Sequence, residues 1–522
     1  MHETITLQFG QQANYLGTHF WNTQESYFTY SPDQPESPID HDIHFRPGLA
    51  PDGTETYMPR TVIYDLKNAF GTLRKVNALY DITDDASASQ ALWQRPPTTL
   101  PATTTTPLDP SPYLAALNAN LPPPRPTPAT IRFFSDYART FYHPRSVVPI
   151  HERDLGGGAG GAAFDRHAAG EELFADLDRE HDLLDRDLRP FVEEADCMQG
   201  VQVFAGWDDA WGGFVGRYLE RVRDEYGKVA VWVWGVEGGG GGGKGGVGRE
   251  KKLLRLGNKA KAITEWYKQA SIVVPLAVPE RLTSRVKLDP TSQWHTSALL
   301  AAAVESVMLP SRMKDPLKRE SLGQMADVLN VMGKQSVAGL QMSFARPGSE
   351  GQEDTRQRKL SEEELSEGVQ LDIRFAPSYQ LDSYARSNGF DRPRVFSQLV
   401  ASRGYEEEES ENGERDEAGR RVRRSSYEPV TKSCTTDLRF PLLDSFPEIF
   451  RDDDDEPLAE SLNITSSLST DSSVANKLKQ LRSTVIRSIG LEDRETLGND
   501  LMEMADEYHE GWSSGSDEGE DD

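Results

Sequence analysis

The segment Met1–Trp21, MHETITLQFGQQANYLGTHFW, decides how the chain is read. Ile5, Leu7 and Phe9 alternate with polar residues, the period of a strand with one buried face. Gly10 closes the strand, Gln11–Asn14 read as a tight polar turn, and Tyr15–Trp21 read as a helix. A helix that opens straight from a strand leaves its first backbone N–H groups unpaired, a geometry suited to phosphate. Most such turns bind nothing, so the segment establishes an α/β unit and not a ligand.

A second unit of this kind lies at 196–234, DCMQGVQVFAGWDDAWGGFVGRYLERVRDEYGKVAVWVW. Met198–Phe204 reads as a buried strand, Gly206–Gly213 as a turn, Phe214–Tyr226 as a helix and Val229–Trp234 as another strand. Strand, turn, helix, strand predicts a parallel sheet covered by helices.

The two units resemble the tubulins. The first is similar to their strand, Gly-Gln-Cys-Gly-Asn turn and helix ending in Phe-Trp. Gly10, Gln11, Gln12, Asn14 and the run His19-Phe20-Trp21 into Asn22, Gln24, Glu25, Ser26, Tyr27 and Phe28 resemble the fungal Misato/Dml family of tubulin-like proteins more closely. His143-Pro144-Arg145-Ser146 continues that likeness. In the second unit Asp196, Cys197, Gln199, Gly200, Gln202, Glu225 and Tyr226 match the tubulin frame. Pro59, Arg60, Asp65 and Leu66 match a further tubulin strand, with Lys67 where tubulins carry Glu.

The resemblance implies a tubulin-like nucleotide-binding domain over 1–270, a second α+β domain over 271–450, and carboxy-terminal helices with an acidic tail over 451–522. Disordered insertions are expected at about 96–128, 154–163, 237–250, 347–367 and 404–432, where Pro/Thr, Gly or charged runs prevail. By the same resemblance Gln11, Gln12, Asn14, Asp65, Gly206, Gly212 and Gly213 would form a vestigial nucleotide site.

The site is read as vestigial because the second turn departs from the family. Tubulins hold phosphate on Gly-Gly-Gly-Thr-Gly-Ser-Gly; this chain has Ala205-Gly206-Trp207-Asp208-Asp209-Ala210-Trp211-Gly212-Gly213. Two indoles crowd a cradle that glycine opens, and two carboxylates repel phosphate by several kcal/mol at low effective dielectric. GTP binding is therefore expected to be weakened or lost, and no cofactor is expected. Either Trp207 and Trp211 pack into the vacated pocket or a partner surface, or Asp208 and Asp209 hold a cation or an altered ligand. The loop after Phe344, Ala345-Arg346-Pro347-Gly348, also lacks the Asn-x-Asp by which tubulins act on a neighbour's GTP.

Composition narrows the function classes. A net charge of −27 over 522 residues argues against a nucleic-acid-binding face. Two cysteines, Cys197 and Cys434, are too few for a disulfide framework or a cysteine zinc site. No apolar run is long enough for a membrane span, and the amino terminus has neither signal-peptide nor Arg-rich presequence character. GGGGGGKGG at 238–246 lacks the Ser or Thr that a P-loop needs after its Lys. His41-Asp42-Ile43-His44 reads as surface polar residues, and Leu438–Phe450 as core.

The Misato likeness implies a non-enzymatic factor in mitochondrial partitioning and inheritance of mitochondrial DNA. Its expected place is the cytosolic face of the outer membrane and the cytoplasm, with protein partners there or on the cytoskeleton. Two other readings stand beside it: a divergent GTP-binding assembly protein, and a microtubule or tubulin-assembly factor. The sequence leaves the oligomeric state open.

Overall fold

A computed structural model of the chain describes residues 3–29, 35–49, 55–71, 110–119, 121–150, 164–238, 248–346, 369–379, 393–405, 429–452, 454–458, 460–488 and 491–508. The first eight strands are β1 (Glu3–Phe9), β2 (Phe45–Leu49), β3 (Glu55–Pro59), β4 (Thr61–Leu66), β5 (Val147–Ile150), β6 (Met198–Gly206), β7 (Ala230–Val236) and β8 (Ile272–Leu276). The others are β9 (Gly339–Ala345), β10 (Ile373–Arg374), β11 (Val395–Arg403), β12 (Val430–Thr436), β13 (Phe440–Pro441) and β14 (Ser461–Asp471). The α-helices are α1 (Gln11–Glu25), α2 (Pro112–Asn118), α3 (His167–His181), α4 (Arg189–Glu193), α5 (Trp211–Glu225), α6 (Arg249–Gln269), α7 (Gln293–Val307), α8 (Leu322–Leu329), α9 (Ser473–Ser488) and α10 (Leu491–Asp506).

The first sheet has the order β5-β4-β1-β6-β7-β8, and all its pairs are parallel. Its two faces build two cores. Ile5, Leu7 and Phe9 pack with α3, α5, α6 and the two last helices. On the opposite face α1 lies close, with the Gln8 side chain against Gly17. The alternation in β1 predicted one buried face, yet all seven residues are buried. Helices on both sides of a parallel sheet cause this, and the polar face is satisfied only in part. Gln8 Nε2, for example, donates to Thr61 Oγ1 at 3.1 Å.

The second sheet has the order β10-β9-β14-β11-β12, mixed in direction, and α7 is the seam between the two sheets. It packs on α1 on one side and on β9, β11 and β14 on the other. Its buried Trp294, Leu299, Leu300, Val304 and Val307 leave no polar stripe. The aromatic run 438–450 is core, with Phe440, Phe446, Ile449 and Phe450 buried.

Several expectations need correction. Residues 451–522 are not only helices and tail, because β14 lies in the middle of the second sheet. Its sequence, SLNITSSLSTD, is too rich in Ser and Thr to read as a buried strand. The two last helices belong to the first layer, not a separate body: Tyr508 Oη accepts from the Val337 N–H at 2.6 Å. Within 96–128, the part from 110 carries helix α2, capped by Ser111 and anchored by buried Tyr113. Residues 404–405 and 430–432 are likewise ordered, the latter in β12. The insertion at 154–163 and residues 347–367 lie outside the described residues. The turn-rich stretch before Arg60 contains the hairpin β2–β3. His44 is buried edge-on to Phe20 and Trp21, not a surface residue.

Candidate functional site

The turn after β1 is shorter than the sequence suggests. Gly10 has φ +86° and α1 begins at once, so Gln11, Gln12 and Asn14 lie in its first turn instead of in a loop. The positive φ suits glycine, and there is a second constraint. A Cβ on Gly10 would meet the Trp211 indole at 2.5 Å. Asn14 is fully buried and donates to Asp65 Oδ2 at 2.7 Å and to the Tyr64 carbonyl at 3.3 Å. Asp65 Oδ1 accepts the Leu66 N–H at 2.8 Å. Burial outweighs these bonds and pushes the Asp65 carboxyl up to about 7. Gln12 reaches away from the turn and donates to Thr296 Oγ1 on α7 at 3.3 Å. Lys67, the charge reversal next to this strand end, is exposed.

The turn after β6 is packed shut. Trp207 is 1% exposed and meets Tyr379 edge to face, with Lys259 Nζ 5.3 Å from its ring centre. Trp211 is 4% exposed and lies among Phe9, Phe164 and Phe214. Asp208 Oδ1 accepts the Gly238 N–H at 3.0 Å, and its Oδ2 lies 3.6 Å from Arg255 Nε. Asp209 lies over Gly206 and caps α5 by accepting the Trp211 N–H at 2.9 Å. Its carboxyl is pushed up to about 8 by burial and by the Asp208 charge, against the Trp211 N–H and Arg255.

Of the residues the sequence proposed, Asn14, Asp65 and Gly206 converge here, next to Gly10. Gly212 and Gly213 do not form a cradle. They sit inside α5, and a Cβ on Gly213 would strike the His167 carbonyl at 2.2 Å. A Cβ on Gly212 would meet Ala262 at 3.0 Å. The Gly212 carbonyl also accepts the Trp266 indole N–H at 3.1 Å. These glycines let α3 and α6 approach α5. Sequence reasoning missed Lys259 and Tyr379, which hold Trp207 from 52 and 172 residues away; only a tertiary contact reveals them.

The residues present do not fit a triphosphate cradle. The indole of Trp211 occupies the approach to Gly10, the two helix glycines are covered, and two carboxylates stand where a polyanion would need donors.

A Misato segment II tubulin-like domain matches residues 2–119, and a tubulin domain matches 123–313. Over its whole length the chain is 58% identical to the whole of "Protein dml-1" of Neurospora crassa. The chain belongs to the Misato/Dml family. It is also 43% identical to "Protein dml1" of Aspergillus niger, over 99% of each chain. With "Protein misato homolog 1" of Bos taurus it shares 30% identity across 68% of this chain and 67% of that one. The parallel first sheet is thus the tubulin-like part of a Misato/Dml protein.

Proposed function

We propose that this Misato/Dml protein is a non-enzymatic, tubulin-like factor in the partitioning of mitochondria and the inheritance of mitochondrial DNA. It acts through protein partners on the cytosolic face of the outer membrane and in the cytoplasm. The observation that supports this most is Trp211 against Gly10: an aromatic core has taken the place of a phosphate cradle. A fold kept while its ligand pocket is packed shut serves as a scaffold. The effect on mitochondrial DNA is indirect, because the chain carries −27 net charge.

Depletion in cells tests the process. Mitochondria should cluster or be lost from daughter cells; unchanged distribution would sink the proposal. Calorimetry with GTP and magnesium tests the scaffold reading, and the native chain should give no binding heat. A second reading, a divergent GTP-binding assembly protein, is favoured by two buried acceptors, Gln12 Oε1 and Asn14 Oδ1, that meet no donor among the described residues. Micromolar GTP binding lost on Asn14→Ala would establish it instead.

A further inference from the structure

Among the described residues, one cluster of ligating groups lies outside that turn. Helix α3 carries His167 and Glu171, four residues apart and hence on one face. Glu265 comes across from α6. One ligand atom from each lies within 4.8 Å of the others. His167 Nε2 is 3.3 Å from Glu265 Oε2, and Nδ1 is 3.5 Å from Glu171 Oε2. His167 is 2% exposed, and its two ring nitrogens face these carboxylates without a well-formed hydrogen bond to any of the described residues. Glu265 Oε2 is buried without a donor as well.

The surroundings are built for these carboxylates. On α5, a Cβ at Gly216 would meet Glu265 Oε2 at 2.2 Å, and one at Gly213 would meet Glu171 Cγ at 3.0 Å. Arg217 donates to Glu171 Oε1 at 2.8 and 3.0 Å, which leaves Oε2 for the cluster. Asn258 accepts the His167 N–H at 3.1 Å and donates to the Asp208 carbonyl at 2.9 Å, fixing the start of α3. A groove of about 690 Å³, lined by Ala168, Glu171, Arg217 and Glu220, borders the cluster on its Glu171 side.

Separations of 3.3 and 3.5 Å are long for charge-assisted hydrogen bonds, which run about 2.7–2.9 Å. The two are made by different ring nitrogens, and one ion takes only one of them: the Nε2–Glu265 pair matches two ligand atoms each about 2.0 Å from one tetrahedral ion, and Glu171 completes the set within 4.8 Å. The geometry points to a divalent metal site of the zinc class, held by one imidazole nitrogen of His167 and one oxygen each from Glu171 and Glu265, with water as the fourth ligand. The ion cross-links α3 to α6 over the glycine face of α5, beside the packed turn. This assignment is independent of the nucleotide reading.

Full-length protein, stripped with chelator and titrated with zinc chloride, should bind one ion per chain. Its thermal midpoint should rise with zinc. Glu171→Gln and Glu265→Gln should each weaken binding at least about tenfold and abolish the thermal rise, with unchanged circular dichroism. Cobalt(II) should give a visible spectrum without a thiolate band; such a band would move the ion to Cys197 or Cys434 and overturn the assignment. Failure to bind one equivalent, or equal binding by the double Gln variant, would also overturn it. So would a His167 ring that only titrates as an imidazolium between two carboxylates and ignores zinc.

Discussion

Two carboxylate clusters sit at opposite ends of α1, and they are treated in opposite ways. At the seam with the second sheet, Glu305 on α7 is fully buried between the guanidiniums of Arg312 and Arg403, with Tyr27 and Gln24 donating at 3.0 and 3.1 Å. Burial alone would raise its carboxyl, but Arg403 and Arg312 overcome that and hold it below the usual range. At the ends of β4 and β6, Asp65 and Asp209 form no ion pair among the described residues, the Arg255 charge does not offset burial, and the two carboxyls are held up at about 7 and 8. The seam is a finished structural clamp joining residues from Tyr27 to Arg403. At the turn, burial keeps the protonated form of the carboxyls favoured, whereas at the seam two guanidiniums keep the carboxylate ionised.

The comparison breaks first if the seam is not a clamp. Arg403→Met leaves Glu305 half compensated and should cost about 3–5 kcal/mol in chemical denaturation. A loss under about 1 kcal/mol would make the two clusters equivalent. Next, Trp211→Ala should cost about 3 kcal/mol, because the indole is core and not a surface plug. No loss would mean the turn tolerates an open pocket.

The pH dependence separates the clusters by sign. A carboxyl whose pKa is raised on folding binds more protons in the native state between its unfolded and folded values, so stability falls as pH rises through that window. For Asp65 the window runs from about 4, the ordinary value, to about 7. Asp65→Asn should remove part of that fall, on the order of 1–2 kcal/mol between about pH 5 and about pH 7. Glu305 has the opposite sign: its stabilisation is present above the ordinary carboxylate pKa and is lost as pH falls through its lowered value. Stability that rises from pH 5 to 7 and does not respond to Asp65→Asn would refute the assignment. Smallest is Tyr508→Phe. It removes the acceptor of the Val337 N–H and should cost about 1–2 kcal/mol, with hydrogen exchange at 337 showing the loosened docking of α10.

Much of the first layer was legible because its signals are local. The strand period of 3–9, the glycine at 10 and the unit at 198–234 each lie within a few turns of chain, and parallel order follows from the connection. Helix boundaries were less so. Nothing in Gln11–Asn14 distinguishes a polar turn from a helix start, and the aromatic Trp211 concealed that α5 begins before Gly212. The second sheet was partly illegible. Its β14 is rich in Ser and Thr where a core strand usually shows Val and Ile, and the buried Thr470 hydroxyl finds its partners, Ser397 and the Leu329 carbonyl, only through the fold.

By itself the sequence determined the α/β class, the tubulin-like resemblance, the acidity that disfavours nucleic acid, and the fact that the second turn had changed chemically. By the resemblance, it places Trp207, Asp208, Asp209 and Trp211 where tubulins carry a phosphate loop. Tertiary structure alone decided where those side chains went: Trp211 onto Gly10, Trp207 onto Lys259 and Tyr379, Asp209 onto its own helix end. It also decided that Gly212, Gly213 and Gly216 serve helix approach, and that His167, Glu171 and Glu265 meet. The physical reason is the range of each effect. Backbone preference and periodicity act over a few residues and can be read along the chain. Packing, desolvation and ligand geometry depend on groups that only the fold brings within a few ångströms.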